Sequence, residues 1–376
     1  MIHIHHINLQ PAVGGGEVYT RWFTRALADA GAQVTLYVDP ANRFWDGLAG
    51  AAIELLAVRN PDEIPSRLPG KKALIVTQSP LPARVLERMA HEHVLTGFAH
   101  MPIHGRSAHG FDRFALVYSV SRYCVDLLRA AGMSNLYDEP LYGTFEIERA
   151  GGGAVTRRSP YIWDRRKFRD RLLGALEPAL GARGEPMQFL RAPGLTLGIV
   201  SLLAPIKQFP LLFSHLAPIL ARHRQLHLEI FGRGGFAQVR DLRRALRPLG
   251  ERARFWGFQD AVQLIYPQLD YLMTGLPEKE ALGLNALEAQ ACGTPVLAPD
   301  APPFTETVAH ERTGFLYRDP REDRGADFAA LLEAIVAGRP RPEPRHAVEH
   351  LAKFSYAALV ERVGRLVAHL KRLQSP

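Results

Sequence analysis

Residues 2–38 read as one unit of strand, glycine loop, helix and strand. Ile2 to Ile7 alternates apolar and polar side chains, as a half-buried strand does. Gly14, Gly15 and Gly16 follow after a short loop. Glu17 to Ala30 then carries Val18, Trp22, Phe23, Ala26 and Leu27 at helical spacing and stops at Gly31. Val34 to Val38 reads as the next strand. A strand, a crossover helix and a second strand make the repeating unit of a parallel α/β sheet. The triple glycine lets backbone approach a ligand closely; a tight turn alone is the other reading. A dinucleotide fingerprint needs Gly-x-Gly-x-x-Gly, and Glu17-Val18-Tyr19 leaves out its third glycine. Asp39 stands where such proteins keep a ribose-binding acid, but it reads as a strand-end turn residue.

The alternation continues. Ala73 to Thr77, Val94 to Ala99 and Leu116 to Val120 read as strands, with helices near Ala83 to Ala90 and from Arg122 to Ala131. A second series begins at Thr196 to Leu203 and runs through Leu226 to Phe231, Arg254 to Gly257, Tyr271 to Thr274 and Val296 to Ala298. A chain of 376 residues with 47% hydrophobic content suits two domains better than one. The expected division is 1–185, 190–350 and a closing segment 351–376, whose helix from Phe354 to Leu373 is apolar at helical spacing. Gly181 to Pro186 reads as the linker.

No run of eighteen apolar residues suggests a membrane span, and Met1 to Ile7 lacks the charged and apolar regions of a signal peptide. Cys124 and Cys292 form no CxxC, so a cytoplasmic setting is expected. The formal net charge of +8 favours anionic partners: a nucleotide-sugar, an anionic membrane surface or nucleic acid. No nucleic-acid motif accompanies it, so no nucleic acid is expected. Arg157 to Arg171 holds seven basic residues with Tyr161, Trp163 and Phe168 interleaved. It reads either as a grip on an anionic acceptor or membrane, or as a solvated arginine-rich helix. His100, His104 and His109 cluster near one strand end. Pro102 and Gly105 interrupt any helix there and no acid is adjacent, so no metal site is expected. His100 lies just past its strand, where an open parallel sheet offers a crevice.

The densest chemistry lies in Pro277 to Val296. Glu280 and Glu288 stand eight residues apart around Gly283. Asn285 is a good N-cap, and Glu288 falls three positions later, as a capping box requires. A helix starting at about Ala286 would aim the amides of Leu284, Asn285 and Ala286 outward at its positive end, a site suited to a diphosphate. Glu288 could then accept hydrogen bonds from a ribose diol, and Glu280 could reach a sugar hydroxyl. The plain alternative is a helix-capping Glu288 and a solvated Glu280.

A Glu, seven residues, a second Glu and then Ala-x-Ala-Cys-Gly-Thr-Pro-Val closely resembles the signature of retaining GT-B glycosyltransferases of the family 4 type. The resemblance is strong from Leu226 to Phe315 and weak before Thr196. It implies two Rossmann-like domains facing a cleft, with an acceptor side first and a nucleotide-sugar donor side second. It implies sugar transfer from a nucleoside diphosphate sugar to a glycan or lipid-linked acceptor with retention, in cell-envelope polysaccharide synthesis, with no cofactor or metal. It assigns catalytic roles to Glu280, Lys207 and His100. It assigns donor binding to Gly15, Gly16, Lys207, Arg233, Phe258, Gln259, Gly283, Leu284, Asn285, Ala286 and Glu288.

There are departures. Aligning Lys207 with the family's diphosphate lysine puts Leu202 where an arginine is usual and Gln208 where a glycine is usual. Arg233, in Gly232-Arg233-Gly234-Gly235, is a candidate replacement. Pro302 and Pro303 also stand where glycines are common. A sugar-nucleotide epimerase or phosphorylase on the same fold, a catalytically inactive nucleotide-sugar-binding subunit, and, less favoured, a nicotinamide-dependent oxidoreductase are the alternatives.

Overall fold

The computed structural model describes residues 2–11, 13–103, 108–147, 153–164, 166–180 and 187–374, with backbone alone at 178–180. His104 and the linker 181–186 therefore lie outside the described residues. The chain divides into two compact units, residues 1–145 with 352–376, and residues 146–351.

The first unit is built on β1 (Ile2–Asn8), β2 (Ala32–Val38), β3 (Ile53–Ala57), β4 (Leu74–Thr77), β5 (Val94–Ala99) and β6 (Leu116–Ser119). They lie in the order β3-β2-β1-β4-β5-β6, and every pairing is parallel. The second unit repeats the plan with β7 (Leu195–Val200), β8 (Leu226–Phe231), β9 (Ala253–Gly257), β10 (Tyr271–Met273), β11 (Val296–Pro299) and β12 (Gly314–Tyr317). Its order is β12-β11-β10-β7-β8-β9, again all parallel. Counted within each unit, both sheets follow the doubly wound order, with the direction of winding reversing beside the first strand. The strands β7, β8 and β11 are buried on both faces over most of their length, which is why they read as largely apolar runs.

Each sheet is covered by amphipathic helices. In the first unit Ile7, Ile75, Leu95 and Val117 from the strands meet Val85 and Met89 from the Ala83–Glu92 helix. The closing helix, Tyr356–Gln374, buries Leu359, Val363, Leu366 and Leu370 and stands with the first unit. Tyr356 packs its ring 5.3 Å from Trp22 and donates to Asp29 Oδ2 at 2.6 Å, both on the Gly15–Asp29 helix. Arg365 forks onto both oxygens of Glu139 at 2.6 and 3.0 Å. In the second unit Ile199, Leu228 and Ile230 pack on Leu212, Phe213 and Leu216 of the Phe209–Ala221 helix.

The first boundary differs from the expected residue 185: the division falls at 145/146. Residues 153–164 belong to the second unit because their backbone is tied to it. Arg158 N–H donates to the Trp256 carbonyl at 3.0 Å, Ile162 N–H to Gly234 at 2.7 Å, and Gly234 N–H to Pro160 at 2.9 Å. Val155 and Phe189 join Trp256 and Phe231 in one apolar cluster.

A buried ion pair braces this side of the second sheet. Glu229 on β8 is fully buried; it takes Arg254 Nε–H at 2.9 Å and Trp256 Nε1–H at 2.7 Å. Removing one partner of such a pair strands the other without solvent. Glu229→Ala is expected to destabilise the second unit by about 3 kcal/mol, read as a lowered urea midpoint; an unshifted midpoint would show the pair to be dispensable.

Candidate functional site

The loops after β7 and β10 leave neighbouring strands at the winding reversal of the second sheet. After β7 the chain enters a short 3₁₀ turn, Pro205–Lys207. After β10 it runs back past that turn. Leu276 N–H donates to the Lys207 carbonyl at 3.2 Å, and a Cβ on Gly275 would lie 2.3 Å from that carbonyl oxygen. Only glycine admits so close an approach.

The structure brings Lys207 and Glu280 together. Lys207 Nζ contacts Glu280 Oε2, and both side chains are largely buried, 18% and 13% exposed. Glu280 Oε1 accepts from the amides of Ala281 and Gly283, each at 3.2 Å. Glu280 is thus no solvated loop acid; its carboxylate is held from both sides.

The helix beyond begins earlier than the sequence suggests. It spans Leu284–Ala291, and its N-cap is Gly283 at φ +81°, not Asn285. The expected capping box of Asn285 and Glu288 is absent. The reason is geometric: the left-handed turn at Gly283 lets the helix begin two residues sooner, and Phe304 crowds the position where a Cβ would stand, 3.0 Å from Cε1. Freed from capping, Asn285 donates through Nδ2 to the Val200 carbonyl at 3.0 Å and fastens the helix start to the end of β7. The Ala286 amide turns inward onto the Gly283 carbonyl at 2.9 Å. The amides of Leu284 and Asn285 have no partner among the described residues, so two of the three expected donors stand open at the helix's positive end.

Glu288 lies one turn further on. Tyr266 Oη donates to its Oε2 at 2.8 Å, a partner that nothing in the sequence singled out. Arg233 sits in the loop after β8, beside the loop after β7: Leu203 N–H donates to the Arg233 carbonyl at 2.9 Å. Its guanidinium lies 4.8 Å from the centre of the Phe258 ring, and no carboxylate pairs with it among the described residues. Phe258 is 37% exposed, whereas Gln259 is buried, its amide donating to the Thr156 and Trp256 carbonyls, both at 2.8 Å. Leu202 is exposed between these loops.

Gly15, Gly16 and His100 belong to the first unit. The helix there begins at Gly15, two residues ahead of Glu17, because Glu17 reaches back to the Gly14 amide at 2.8 Å. The Gly15 and Gly16 amides open its first turn. His100 follows β5 and its Nε2 is hydrogen-bonded to the Gln78 amide at 2.9 Å; burial pushes its imidazole down to about 4. Asp39 is the turn residue it resembled, accepting from the Ala41 amide at 2.8 Å. His109 is exposed beside Asp112, and among the described residues no three histidine, cysteine or acidic side chains gather as a metal site would require.

Burial pushes the Glu288 carboxyl up from 4.5 to about 7, against a smaller downward pull from the Tyr266 hydrogen bond. Between those two values the folded chain keeps a proton that the unfolded chain has lost. Stability therefore falls as pH rises from about 4.5 to about 7 and stays lowered above. Glu288→Gln is expected to match the parent protein at pH 4 and to exceed it by about 3 kcal/mol at pH 8. Urea unfolding across that range is the measurement, and a constant difference would contradict the burial.

Residues 194–340 match the family model for glycosyl transferases group 1. Among curated proteins, the D-inositol 3-phosphate glycosyltransferase of Mycobacteroides abscessus is 37% identical over 101 residues, 26% of this chain and 22% of that protein. Its namesake from Stackebrandtia nassauensis is 29% identical over 203 residues, 48% of this chain and 44% of that protein. The chain thus spans less than half the length of these curated relatives. Among solved structures, Anabaena Alr3699/HepE in complex with UDP and glucose aligns with a TM-score of 0.70 at 18% identity, over 98% of this chain and all of that one, 100%. Sucrose-phosphate synthase from Thermosynechococcus elongatus aligns with a TM-score of 0.68 at 17% identity, over 99% and 100%. With its two parallel six-stranded sheets the chain has the α/β GT-B fold of these structures, and residues 194–340 are similar to glycosyl transferases group 1.

Proposed function

We propose that the protein is a glycosyltransferase. It moves a sugar from a nucleoside diphosphate sugar to a hydroxyl of a glycan or lipid-linked acceptor, with retention of configuration, in cell-envelope polysaccharide synthesis. The observation that carries this reading is the meeting of Lys207, Glu280 and the open amides of Leu284 and Asn285 at the ends of β7 and β10. It lies in the segment similar to glycosyl transferases group 1. Proteins of the same fold solved with UDP, glucose or UDP-glucose support a nucleotide-sugar donor.

In this reading the Leu284 and Asn285 amides and the Lys207 ammonium face the diphosphate. They neutralise the charge that grows as the glycosidic bond breaks. Arg233 takes the place of the guanidinium that Leu202 does not supply. Glu288 accepts from the ribose, and Glu280 holds the transferred sugar through a hydroxyl. The backbone at Phe258 and Gln259 meets the base. The leaving phosphate assists deprotonation of the acceptor. In the first unit, Gly15 and Gly16 approach the donor and His100 the sugar. A catalytically inactive binding subunit is the second reading, favoured by the exposed Leu202.

Incubation with a panel of nucleotide-sugars separates the readings. Transfer, or slow donor hydrolysis, supports the transferase. Binding without turnover supports the inactive subunit, and an altered free sugar-nucleotide supports an epimerase. Lys207→Ala is expected to lower kcat about 100-fold, the scale of one lost stabilising donor, and Glu288→Ala to weaken donor binding about tenfold in calorimetry. Unchanged turnover or affinity would remove either residue from the site.

No helix among the described residues is long and apolar enough to cross a membrane. We assign peripheral contact with an anionic membrane to the Phe168–Leu180 helix. Phe168, Leu172 and Leu176 form an exposed stripe on it, and Gly174, on the opposite side, faces Trp163. Arg171 lies beside the stripe. Phe168→Ser with Leu172→Ser is expected to abolish co-sedimentation with phosphatidylglycerol vesicles; retained binding would overturn the assignment.

A further inference from the structure

The loop after β8, Gly232-Arg233-Gly234-Gly235, holds three glycines in four residues, and such backbone keeps no fixed path unless something grips it. The grip comes from residues 156–162, which lie outside the segment similar to glycosyl transferases group 1. Gly234 is bonded to this strap in both directions. Its N–H donates to the Pro160 carbonyl at 2.9 Å, and its carbonyl accepts from Ile162 N–H at 2.7 Å. Arg233, one residue earlier, is thereby held where its guanidinium meets the Phe258 ring.

The strap also holds the loop after β9. Arg158 N–H donates to the Trp256 carbonyl at 3.0 Å, and the Arg158 guanidinium reaches across the turn to Asp260 Oδ2 at 2.7 Å. Gln259 Nε2–H donates to the Thr156 carbonyl at 2.8 Å. The two segments run so close that a Cβ on Gly257, at φ +69°, would stand 2.4 Å from the Arg158 carbonyl oxygen. Phe258, the next residue, stays exposed.

One carboxylate closes the strap. Glu177, on the Phe168–Leu180 helix, accepts from Ser159 Oγ–H and from Trp163 Nε1–H, both at 2.6 Å. Ser159 Oγ in turn accepts from the Tyr161 amide at 3.1 Å. The Tyr161 and Trp163 rings are stacked, centres 4.7 Å apart, and Tyr161 also stacks on Phe236 at 5.9 Å, where the helix after the glycine loop begins. A carboxylate that takes donors four residues apart sets the path of the chain between them. Pro160 and Ile162, the two partners of Gly234, lie in that interval.

We propose that residues 156–162 are a strap that positions the donor-binding loops, and that Glu177 is the positioning residue that closes it. The proposal rests on the assignment of Arg233 and Phe258 to the donor made above. Glu177 acts through Pro160, Ile162 and Gly234 on Arg233. Its contribution is preorganisation: the glycine loop is ordered before the nucleoside diphosphate arrives, so binding does not have to order it. The effect therefore falls on donor affinity rather than on the breaking of the glycosidic bond.

The test compares Glu177→Ala with Glu177→Gln in the full chain. A glutamine amide can accept from Trp163 and donate to Ser159, so it keeps the clasp without the charge. Glu177→Ala is expected to weaken UDP binding about tenfold in calorimetry, to raise KM for UDP-glucose by a similar factor, and to change kcat less than about twofold. Exchange of the Gly234 amide hydrogen is expected to quicken about tenfold. Glu177→Gln is expected to restore affinity, KM and exchange. Unchanged affinity in Glu177→Ala, or weakened affinity with Gly234 exchange unaltered, overturns the proposal. So does a Glu177→Gln variant that behaves as Glu177→Ala does. Should Glu177→Ala not fold, Ser159→Ala removes one arm of the clasp alone, and unaltered Gly234 exchange in it overturns the proposal. If the parent protein binds none of UDP, GDP and ADP, it is the donor assignment that fails, and Gly234 exchange in the variants still decides whether Glu177 closes the strap.

Discussion

Parallel strands all end on the same edge of their sheet, and each is joined to the next by a right-handed crossover. Where the winding reverses, two neighbouring strands send their crossovers to opposite faces, and the loops part. In this chain the reversal falls between β1 and β4 in one sheet and between β7 and β10 in the other. The chemistry follows that constraint. Lys207 comes from the loop after β7 and Glu280 from the loop after β10, while Gln78 follows β4 and the glycine start of a helix follows β1. The residues between are committed to packing, so the polar groups able to meet a ligand collect at these two edges.

Within the second edge the charges are balanced before any ligand arrives. Glu280 lies just before a helix start, where an anion is favoured, and Lys207 offsets it. A diphosphate approaching this point meets two uncommitted amides and a pair that must share or exchange its partners. Arg233 differs, since its guanidinium faces an aromatic ring rather than a carboxylate. Attraction from that side is therefore not offset by a fixed negative charge.

Much of the fold was legible because parallel strands flanked by helices leave long apolar runs punctuated by glycine. A long helix and an edge strand are among the elements that escaped. The Phe209–Ala221 helix contains Pro210 and Pro218, and proline normally argues against a helix interior. β3 is a five-residue edge strand with a mixed burial pattern, too short and too exposed for periodicity to reveal. The Pro277–Val296 segment yielded its acids and its helix, but not the helix's starting point. Asn285 has the chemistry of a cap, and only the positive φ of Gly283 and its contact with Phe304 decide otherwise. Tyr266 and Gln78 carried no local signal. Each matters through a partner more than twenty residues away in sequence, and such pairings are set by topology.

The closing helix brings a timing problem into the life of the chain. Its neighbours on the first unit, Trp22 and Asp29 among them, leave the ribosome more than three hundred residues before Tyr356 does. At translation rates of about 5–20 residues per second, that face waits tens of seconds for its cover. The second unit has every residue it needs before then. The part of the protein made first is thus finished last, and a nascent chain stalled before residue 352 would carry an apolar face to any chaperone within reach.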